Sequence, residues 1–234
     1  MQSKITKLLA ATNLLLLLGL AATIAWIGKI YLFDLPNYQS SYVPYVVNIY
    51  KSGQLIGHSF PIVSTETVGG DTVRTDFSEK NGGIVLVFDP FSCQPCLQLV
   101  LKGLQHIYDN LEDPTQLPIY AISKSPLNAL SQYRRAFKLK YQLGIPIQGE
   151  DMDHLFQRTP VVFLVDSHNT ILQCHYPLYK KEQFSALFFQ ELAFNYLSAL
   201  KVNTSGFADS PLKKLRGVSL LEIIKGQHTV EDLF

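Results

Sequence analysis

Two cysteines that are three residues apart are the residues of this chain best suited to chemistry. Cys93 and Cys96 enclose Gln94 and Pro95, and they are two of the three cysteines in the 234-residue sequence. Two thiols at this spacing at the start of a helix are close enough to form a disulfide and to reopen it. The pattern therefore predicts thiol–disulfide exchange. A static disulfide is the structural alternative, but a disulfide that closes so small a loop adds little stability.

The two cysteines are expected to have different roles in that exchange. Unpaired backbone amides and the helix dipole favour an anion at a helix N-terminus, and cysteines there have pKa values from about 3.5 to 7.5 rather than about 8.5. Cys93 is therefore the candidate attacking thiolate, and Cys96 the buried resolving thiol. Because Gln94 and Pro95 bring no positive charge to the thiolate, the pair is expected to be moderately reducing.

The elements around the pair predict how it is held. Residues 84–88 are five apolar residues without alternation, as expected for a central strand buried on both faces. A helix is predicted from Cys93 to about Tyr108, with Pro95 acceptable in its first turn. The other predicted elements are a hairpin of strands 59–66 and 71–75, strands 118–123, 161–165 and 171–175, and helices 125–141 (with Ser125 as its N-cap), 150–157 and 181–200.

This order of elements, together with three short motifs, resembles the thioredoxin fold. It resembles most the membrane-anchored TlpA-type thioredoxin-like proteins and their relatives ResA and MauD. The motifs are GHSFP at 57–61, CQPC at 93–96 and TPVVFLVD at 159–166, and the resemblance covers about residues 56–200. It implies an α/β thioredoxin-like domain, with a central mixed sheet flanked by helices, that exchanges disulfides with a protein client.

The resemblance also implies roles for single residues. Pro160 would be a cis-proline that faces the disulfide, and a fold can impose a cis X-Pro bond at a cost of only about 0.5–1 kcal/mol. Thr159 would offer its backbone to an extended substrate segment, beside Gln94 and Pro95. No cofactor and no metal site are implied. The expected partners are a protein with a disulfide or dithiol and a membrane-bound or soluble thiol that donates electrons.

The chain departs from that pattern where helper groups are expected. Ser92 stands where thioredoxins have a tryptophan, Val87 where they have a buried acid, and Leu99 where ResA-type proteins have a glutamate. The usual proton acceptor for the buried second thiol is therefore absent. Asp89 is the nearest candidate in the sequence, but a carboxylate at a strand end before Pro90 is expected to face solvent.

The N-terminal segment predicts a membrane anchor. Residues 8–28 contain no charged side chain, and at about 1.5 Å per residue they would span roughly 31 Å, enough to cross a bilayer. Because Lys4 and Lys7 precede this run, residues 1–7 are expected in the cytoplasm and the remainder on the extracytoplasmic side. The alternative is a signal peptide cleaved near residues 23–25. In both cases the CxxC pair is exported to where it can be oxidised.

Composition and position divide the rest of the chain. Residues 29–50 are read as a tyrosine-rich juxtamembrane connector, 51–200 as the thioredoxin-like domain and 201–234 as a C-terminal appendage. With 47% hydrophobic residues the chain can bury one good core. Its net charge of +1 gives no electrostatic footprint for nucleic acid.

Cys174 is expected to be a buried free thiol in the last strand, on the same face as Leu172. The alternative would join Cys174 or His175 to the CxxC pair in a soft-metal site, such as one for copper(I). The spacing argues against it, because copper chaperones of this fold have a wider CxxxC.

Two other functions stay open. In a thiol peroxidase, Cys93 would be oxidised to a sulfenic acid that Cys96 resolves. Pro90 stands where peroxiredoxins have a threonine, and Arg158 is the candidate for the arginine that they need. Alternatively, the anchor, connector and appendage would suit a non-catalytic membrane assembly or maturation factor, including one that handles a metal.

Overall fold

The structure is a computed structural model that describes residues 19–20, 22–24, 27, 29, 50, 52–147, 156, 159–178, 182–200 and 202–203. The chain divides into two compact units, Met1–Asn48 and Ile49–Phe234. Within the predicted anchor the described residues are helical, and the rest of that prediction lies outside the described residues. Most of three other predicted segments also lies outside the described residues. These segments are the connector, the helix at 150–157 and the C-terminal appendage. Across the described part of the chain, no helix has the length and apolar character needed to cross a membrane.

The described part of the second unit contains one mixed sheet. Its strands are β1 (Ser64–Thr67), β2 (Thr72–Arg74), β3 (Gly83–Phe88), β4 (Ile119–Ser123), β5 (Gln142–Pro146), β6 (Val161–Val165) and β7 (Ile171–His175). They lie in the order β2-β1-β5-β4-β3-β6-β7. β3, β4 and β5 are parallel, whereas β1 pairs antiparallel with β5, and β6 with both β3 and β7. All six residues of β3 are buried, as predicted for a central strand.

Helices cover one face of this sheet. They are α1 (Gln94–Asn110), α2 (Leu127–Ala136), α3 (Glu182–Glu191) and the short α4 (Leu197–Ala199), with a π-helical segment, Leu192–Tyr196, between α3 and α4. The crossovers through α1 and α2 move along the sheet in the same direction, so right-handed connections place both helices on one face. Two apolar clusters lie on the two faces of the sheet, and alternate residues of β3 belong to one or the other. Ile84, Leu86 and Phe88 pack in the cluster with the helices. Val85 and Val87 pack in the other cluster, with Phe60, Phe77 and Phe156.

The element order is that of a thioredoxin-like fold. A parallel β3-α1-β4 unit is joined to an antiparallel β6-β7 hairpin followed by α3, with β5 and the β1-β2 hairpin extending the sheet on the far side of β4. The predicted α/β fold with a mixed sheet is therefore confirmed. The hairpin is also confirmed, although Ser59 forms only an isolated bridge with Thr170 and the first strand begins at Ser64.

The helix predicted at 125–141 is wrong at both ends. Pro126, not Ser125, is the N-cap residue, and the helix ends at Ala136. Lys138 has a left-handed backbone with φ of 52°, a conformation that an α-helix does not accommodate. β5 follows and had not been predicted. Its signal in the sequence is an apolar residue at every second position, Leu139, Tyr141 and Leu143, which is the period of a strand. All three side chains are buried.

The predicted face of Cys174 is also wrong. Cys174 lies in the same apolar cluster as Ile171, whereas Leu172 packs against the opposite cluster. The cause is an irregularity in the β6-β7 pairing: Leu164 pairs with Gln173, but Val165 pairs with Ile171. Leu172 is therefore the extra residue of a bulge, and a bulge interrupts the alternation of side chains along a strand.

The C-terminal helical region falls within the predicted range 181–200, but it is not one regular α-helix, because the π-helical segment interrupts it. α3 packs closely on α1 where Gly103 faces Phe189. A Cβ atom on Gly103 would lie 2.3 Å from the Phe189 ring, so only glycine allows this approach of the two helices.

Candidate active site

Cys93 and Cys96 form a disulfide at the N-terminus of α1, and their Cα atoms are 5.3 Å apart. Cys93 is the N-cap residue, and its carbonyl oxygen accepts a hydrogen bond of 2.9 Å from the amide of Leu97. Pro95 lies in the first turn, where it has no hydrogen bond to lose. No side chain caps this helix end. The first-turn amides are therefore left to stabilise negative charge at the cysteines.

The two sulfur-bearing residues differ in exposure. Cys96 is only 4% exposed, whereas Cys93 is half-buried, and Gln94 and Pro95 between them are exposed. An attacking thiolate must be reached from solution and a resolving thiol need not be. This difference agrees with the roles expected for Cys93 and Cys96.

Gln94 is held by a residue of α2. The hydroxyl of Tyr133 donates a hydrogen bond of 3.2 Å to Gln94 Oε1. Tyr133 is itself placed by ring contacts with Phe88 at 5.9 Å and Phe137 at 6.4 Å. The variable residue of the CxxC motif is thus oriented by a helix that follows β4, a contact that the sequence did not indicate.

The Thr159–Pro160 peptide bond is cis, as the resemblance implied. Val161 at the start of β6 pairs with Val87 near the end of β3. Extending this antiparallel register by two residues places Thr159 opposite Asp89, at the edge of the sheet where the chain turns towards Cys93. Pro160 is buried and Thr159 half-buried. The two motifs therefore meet at the C-terminal end of β3.

Asp89 connects the two motifs. Thr159 Oγ1 donates a hydrogen bond to Asp89 Oδ2, and the amide of Phe91 donates one of 2.7 Å to Asp89 Oδ1. The expectation that this half-buried carboxylate faces solvent is wrong, because the antiparallel pairing of β3 and β6 brings a hydroxyl to it. The neighbouring residues in the sequence could not indicate this contact, since the partner is seventy residues away.

Ser92 closes the turn that leads into the pair. Its amide donates to the carbonyl oxygen of Asp89 at 3.1 Å, and its hydroxyl accepts from the amide of Asp89 at 3.0 Å. Ser92 is 5% exposed, whereas the neighbouring Phe91 is 97% exposed. At the position where thioredoxins have a tryptophan, this chain therefore has a buried turn-forming serine, preceded by a fully exposed aromatic ring.

Cys174 and His175 lie in β7, where burial and packing contacts determine their properties. Cys174 is a buried free thiol, as predicted, and burial raises its pKa to about 12. Burial lowers the pKa of His175 to about 3. The His175 ring stacks on Phe188 at 4.5 Å, and its Nε2 is 2.8 Å from Ser185 Oγ. Among the described residues, no three histidine, cysteine or acidic side chains come together to hold a metal. Arg158, the candidate for a peroxidase, lies outside the described residues.

Comparison with known proteins finds no matching family model and no matching curated protein. Solved structures of many proteins resemble part of the chain, among them the following three. A candidate protein disulfide isomerase from Bacteroides thetaiotaomicron is 17% identical, covers 58% of this chain and 87% of its own, and has a TM-score of 0.48. The thioredoxin domain of a thiol-disulfide oxidoreductase from Bacteroides vulgatus is 16% identical, with coverages of 57% and 95% and a TM-score of 0.45. A peroxidoxin from Mycobacterium tuberculosis is 13% identical, with coverages of 62% and 96% and a TM-score of 0.46. The fold assignment rests on the strand order and connections described above.

Proposed function

We propose that this protein is an enzyme, a thiol–disulfide oxidoreductase that reduces a disulfide in a protein client through Cys93 and Cys96. The observation that carries the proposal is the arrangement of the pair. An accessible and a buried cysteine form a disulfide at an uncapped helix N-terminus, at the sheet edge where the cis-Pro160 segment also lies. A disulfide with only a structural role has no need of this asymmetry, and it would add little stability in so small a loop.

The reduced enzyme starts with Cys93 as a thiolate, favoured by the first-turn amides of α1. This thiolate attacks one sulfur of the client disulfide, whose other sulfur leaves as a thiolate and takes up a proton. Cys96 then loses its proton and attacks the Cys93 sulfur of the mixed disulfide. The second client thiolate leaves, and the Cys93–Cys96 disulfide forms. Two electrons have passed to the client. A thiol donor, soluble or in the membrane, then reduces the Cys93–Cys96 disulfide by the same steps in reverse.

The proposed setting is the extracytoplasmic side of a membrane, with residues 8–28 as the anchor and the N-terminus in the cytoplasm. The uncharged run and the preceding Lys4 and Lys7 support this orientation. The TlpA-type proteins, which the motifs resemble, have the same arrangement. A membrane-impermeant maleimide should therefore label Cys93 in intact cells after mild reduction, and labelling only after lysis would contradict this orientation.

The exchange itself is tested with three cysteine variants of the full chain. The wild-type protein should accelerate the reduction of insulin by dithiothreitol, and Cys93→Ser should abolish this acceleration. Cys96→Ala should accumulate a mixed disulfide with a client, which dithiothreitol releases and mass spectrometry identifies. Cys174→Ser is the matched control and should retain full activity, because that thiol is buried and takes no part in the disulfide. Undiminished insulin reduction by Cys93→Ser would refute the proposal.

A further inference from the structure

The segment that carries the cysteine pair has no charged side chain and exposes several apolar groups. Residues 90–101 contain no charged side chain. Pro90, Gln94 and Pro95 are exposed, and Phe91 is 97% exposed. The nearest acid in the sequence is Asp89, and both of its carboxylate oxygens accept hydrogen bonds from the protein. The exposed groups next to Cys93 in the sequence are therefore an aromatic ring, two prolines and one uncharged amide.

Among the described residues, Phe91 is one of three large apolar residues that are exposed at the end of the sheet where β3 finishes. Ile147 follows β5, which ends at the same edge as β3 because the two strands are parallel to β4. Ile62 lies just before β1, at the same edge, since the amide of Ile147 donates to the carbonyl oxygen of Ser64 at 2.9 Å. Ile62 is 42% exposed and Ile147 40% exposed. Single exposed apolar residues need no explanation, but a group at a reactive edge does.

The opposite edge of the sheet offers a matched comparison. Ile56 is also 42% exposed. The next residue, Gly57, donates its amide to the carbonyl oxygen of Ile171 at 2.8 Å. We call the end of the sheet where β3 finishes and the cysteine pair follows the redox edge. Ile171 begins β7, and the other end of β7 lies at the redox edge. Ile56 therefore lies at the far end of the sheet. The two isoleucines thus have the same exposure and differ in their distance from the cysteines.

We propose that the redox edge binds an extended client segment with large apolar side chains next to its cysteine, and that Phe91 selects this segment. The proposal rests on the proposed exchange activity, because the client sulfur must reach Cys93. At about 4.8 Å per strand, β5 lies about 10 Å and β1 about 14 Å from β3. A five-residue extended segment spans about 17 Å. A client joined to Cys93 can therefore contact Phe91 and extend to Ile147 and Ile62.

The test measures one exchange step with the full-length Cys96→Ala protein in detergent. The probes are two short peptides, each with one cysteine activated as a mixed disulfide with thionitrobenzoate. One peptide has leucine and phenylalanine beside its cysteine, and the other has serine at both positions. The Cys93 thiolate attacks the peptide sulfur, the peptide becomes disulfide-bonded to Cys93, and the coloured thionitrobenzoate anion leaves. One disulfide breaks as one forms, so no further oxidant or reductant is needed.

We expect the apolar peptide to react about tenfold faster than the serine peptide, as for a contact made by a buried aromatic anchor. Phe91→Ser should remove this preference, so that the two peptides react at similar rates. Ile56→Ser, the control at the other edge, should keep the preference. Because Phe91 and Ile56 are both exposed, neither substitution is expected to unfold the protein.

Three results would overturn the inference. The first is an equal rate for the two peptides, and the second is a Phe91→Ser variant that slows both equally. The third is a Phe91→Ser variant that keeps the peptide preference but loses binding to lipid vesicles or self-association, which would assign the ring to a membrane or to a second copy of the chain. Failure of both peptides to react at Cys93 in any variant would instead refute the exchange activity itself.

Discussion

The hydrogen bond between Thr159 and Asp89 should couple the two halves of the site energetically. Thr159→Val removes the hydroxyl while keeping a branched side chain of similar shape, and Asp89→Ala removes the acceptor. Hydrogen bonds to a charged group contribute about 1.5–3 kcal/mol. Since both residues are half-buried, partial solvation places this bond at the low end of that range. We expect a coupling free energy of about 1.5 kcal/mol in the double-mutant cycle.

Asp89→Ala should cost more than Thr159→Val, because the carboxylate also accepts from the amide of Phe91. Urea unfolding of the oxidised full-length chain, followed by circular dichroism, gives the four free energies of unfolding. In the Cys96→Ala background, both substitutions should also slow client capture at Cys93, since each releases the cis-proline segment from the turn that precedes the cysteine.

A second threonine–aspartate pair provides the control. Thr115 donates its hydroxyl to Asp113 within one exposed turn, so it joins no two elements. Thr115→Val should change the unfolding free energy by less than about 0.5 kcal/mol and leave client capture unchanged. If the Asp89 and Thr159 effects add to within about 0.3–0.5 kcal/mol, or if Thr115→Val slows capture as much as Thr159→Val, the coupling argument is refuted.

Three further outcomes are expected. Burial lowers the pKa of His175 to about 3, below its usual value of about 6.5, so the unfolded chain binds a proton that the folded protein does not. His175 should therefore lower the unfolding free energy by about 2 kcal/mol between pH 7 and pH 5. In pH-dependent urea titrations, His175→Gln should lose less stability over this range than the wild-type protein by about that amount. Gly103→Ala should lower the unfolding free energy by about 1–3 kcal/mol, because the new Cβ meets the Phe189 ring. Adding Phe189→Leu should restore part of the lost stability. An unchanged midpoint of urea unfolding in Gly103→Ala would contradict this packing. Cys174, whose pKa is raised to about 12, should resist iodoacetamide in the native protein and react only on unfolding, as peptide mass mapping would show.

The parts of the fold that were predictable are those set by local patterns. The uninterrupted apolar run of β3, the proline in the first turn of α1 and the Thr159–Pro160 pair each carry their information within a few residues. β5 was missed because the residues before it also suit a helix, and only the left-handed Lys138 separates the two elements. The face of Cys174 was misjudged because a bulge depends on how two strands pair, and not on either strand alone.

The site shows the same division between local and long-range information. Cys93, Cys96 and Pro160 could be found from their spacing and from the resemblance. The contacts Asp89–Thr159 and Gln94–Tyr133 join residues seventy and thirty-nine positions apart, so they follow from the sheet order and from the position of α2. Phe91 carried no signal in the sequence, because exposure is a property of the folded turn that Ser92 closes.

The position of Asp89 bears on the proton of the buried thiol. Both of its oxygens accept hydrogen bonds, from Thr159 and from the amide of Phe91, so in the proposed mechanism this carboxylate holds the cis-proline segment to the turn before Cys93. Val87 and Leu99 stand where the proteins that the motifs resemble have acids, and these apolar side chains cannot take the proton of Cys96. The client thiolate that leaves in the same exchange has a pKa of about 8.5, close to that of an ordinary cysteine. In the proposed mechanism this client thiolate takes up the proton that Cys96 loses, so the exchange needs no other base.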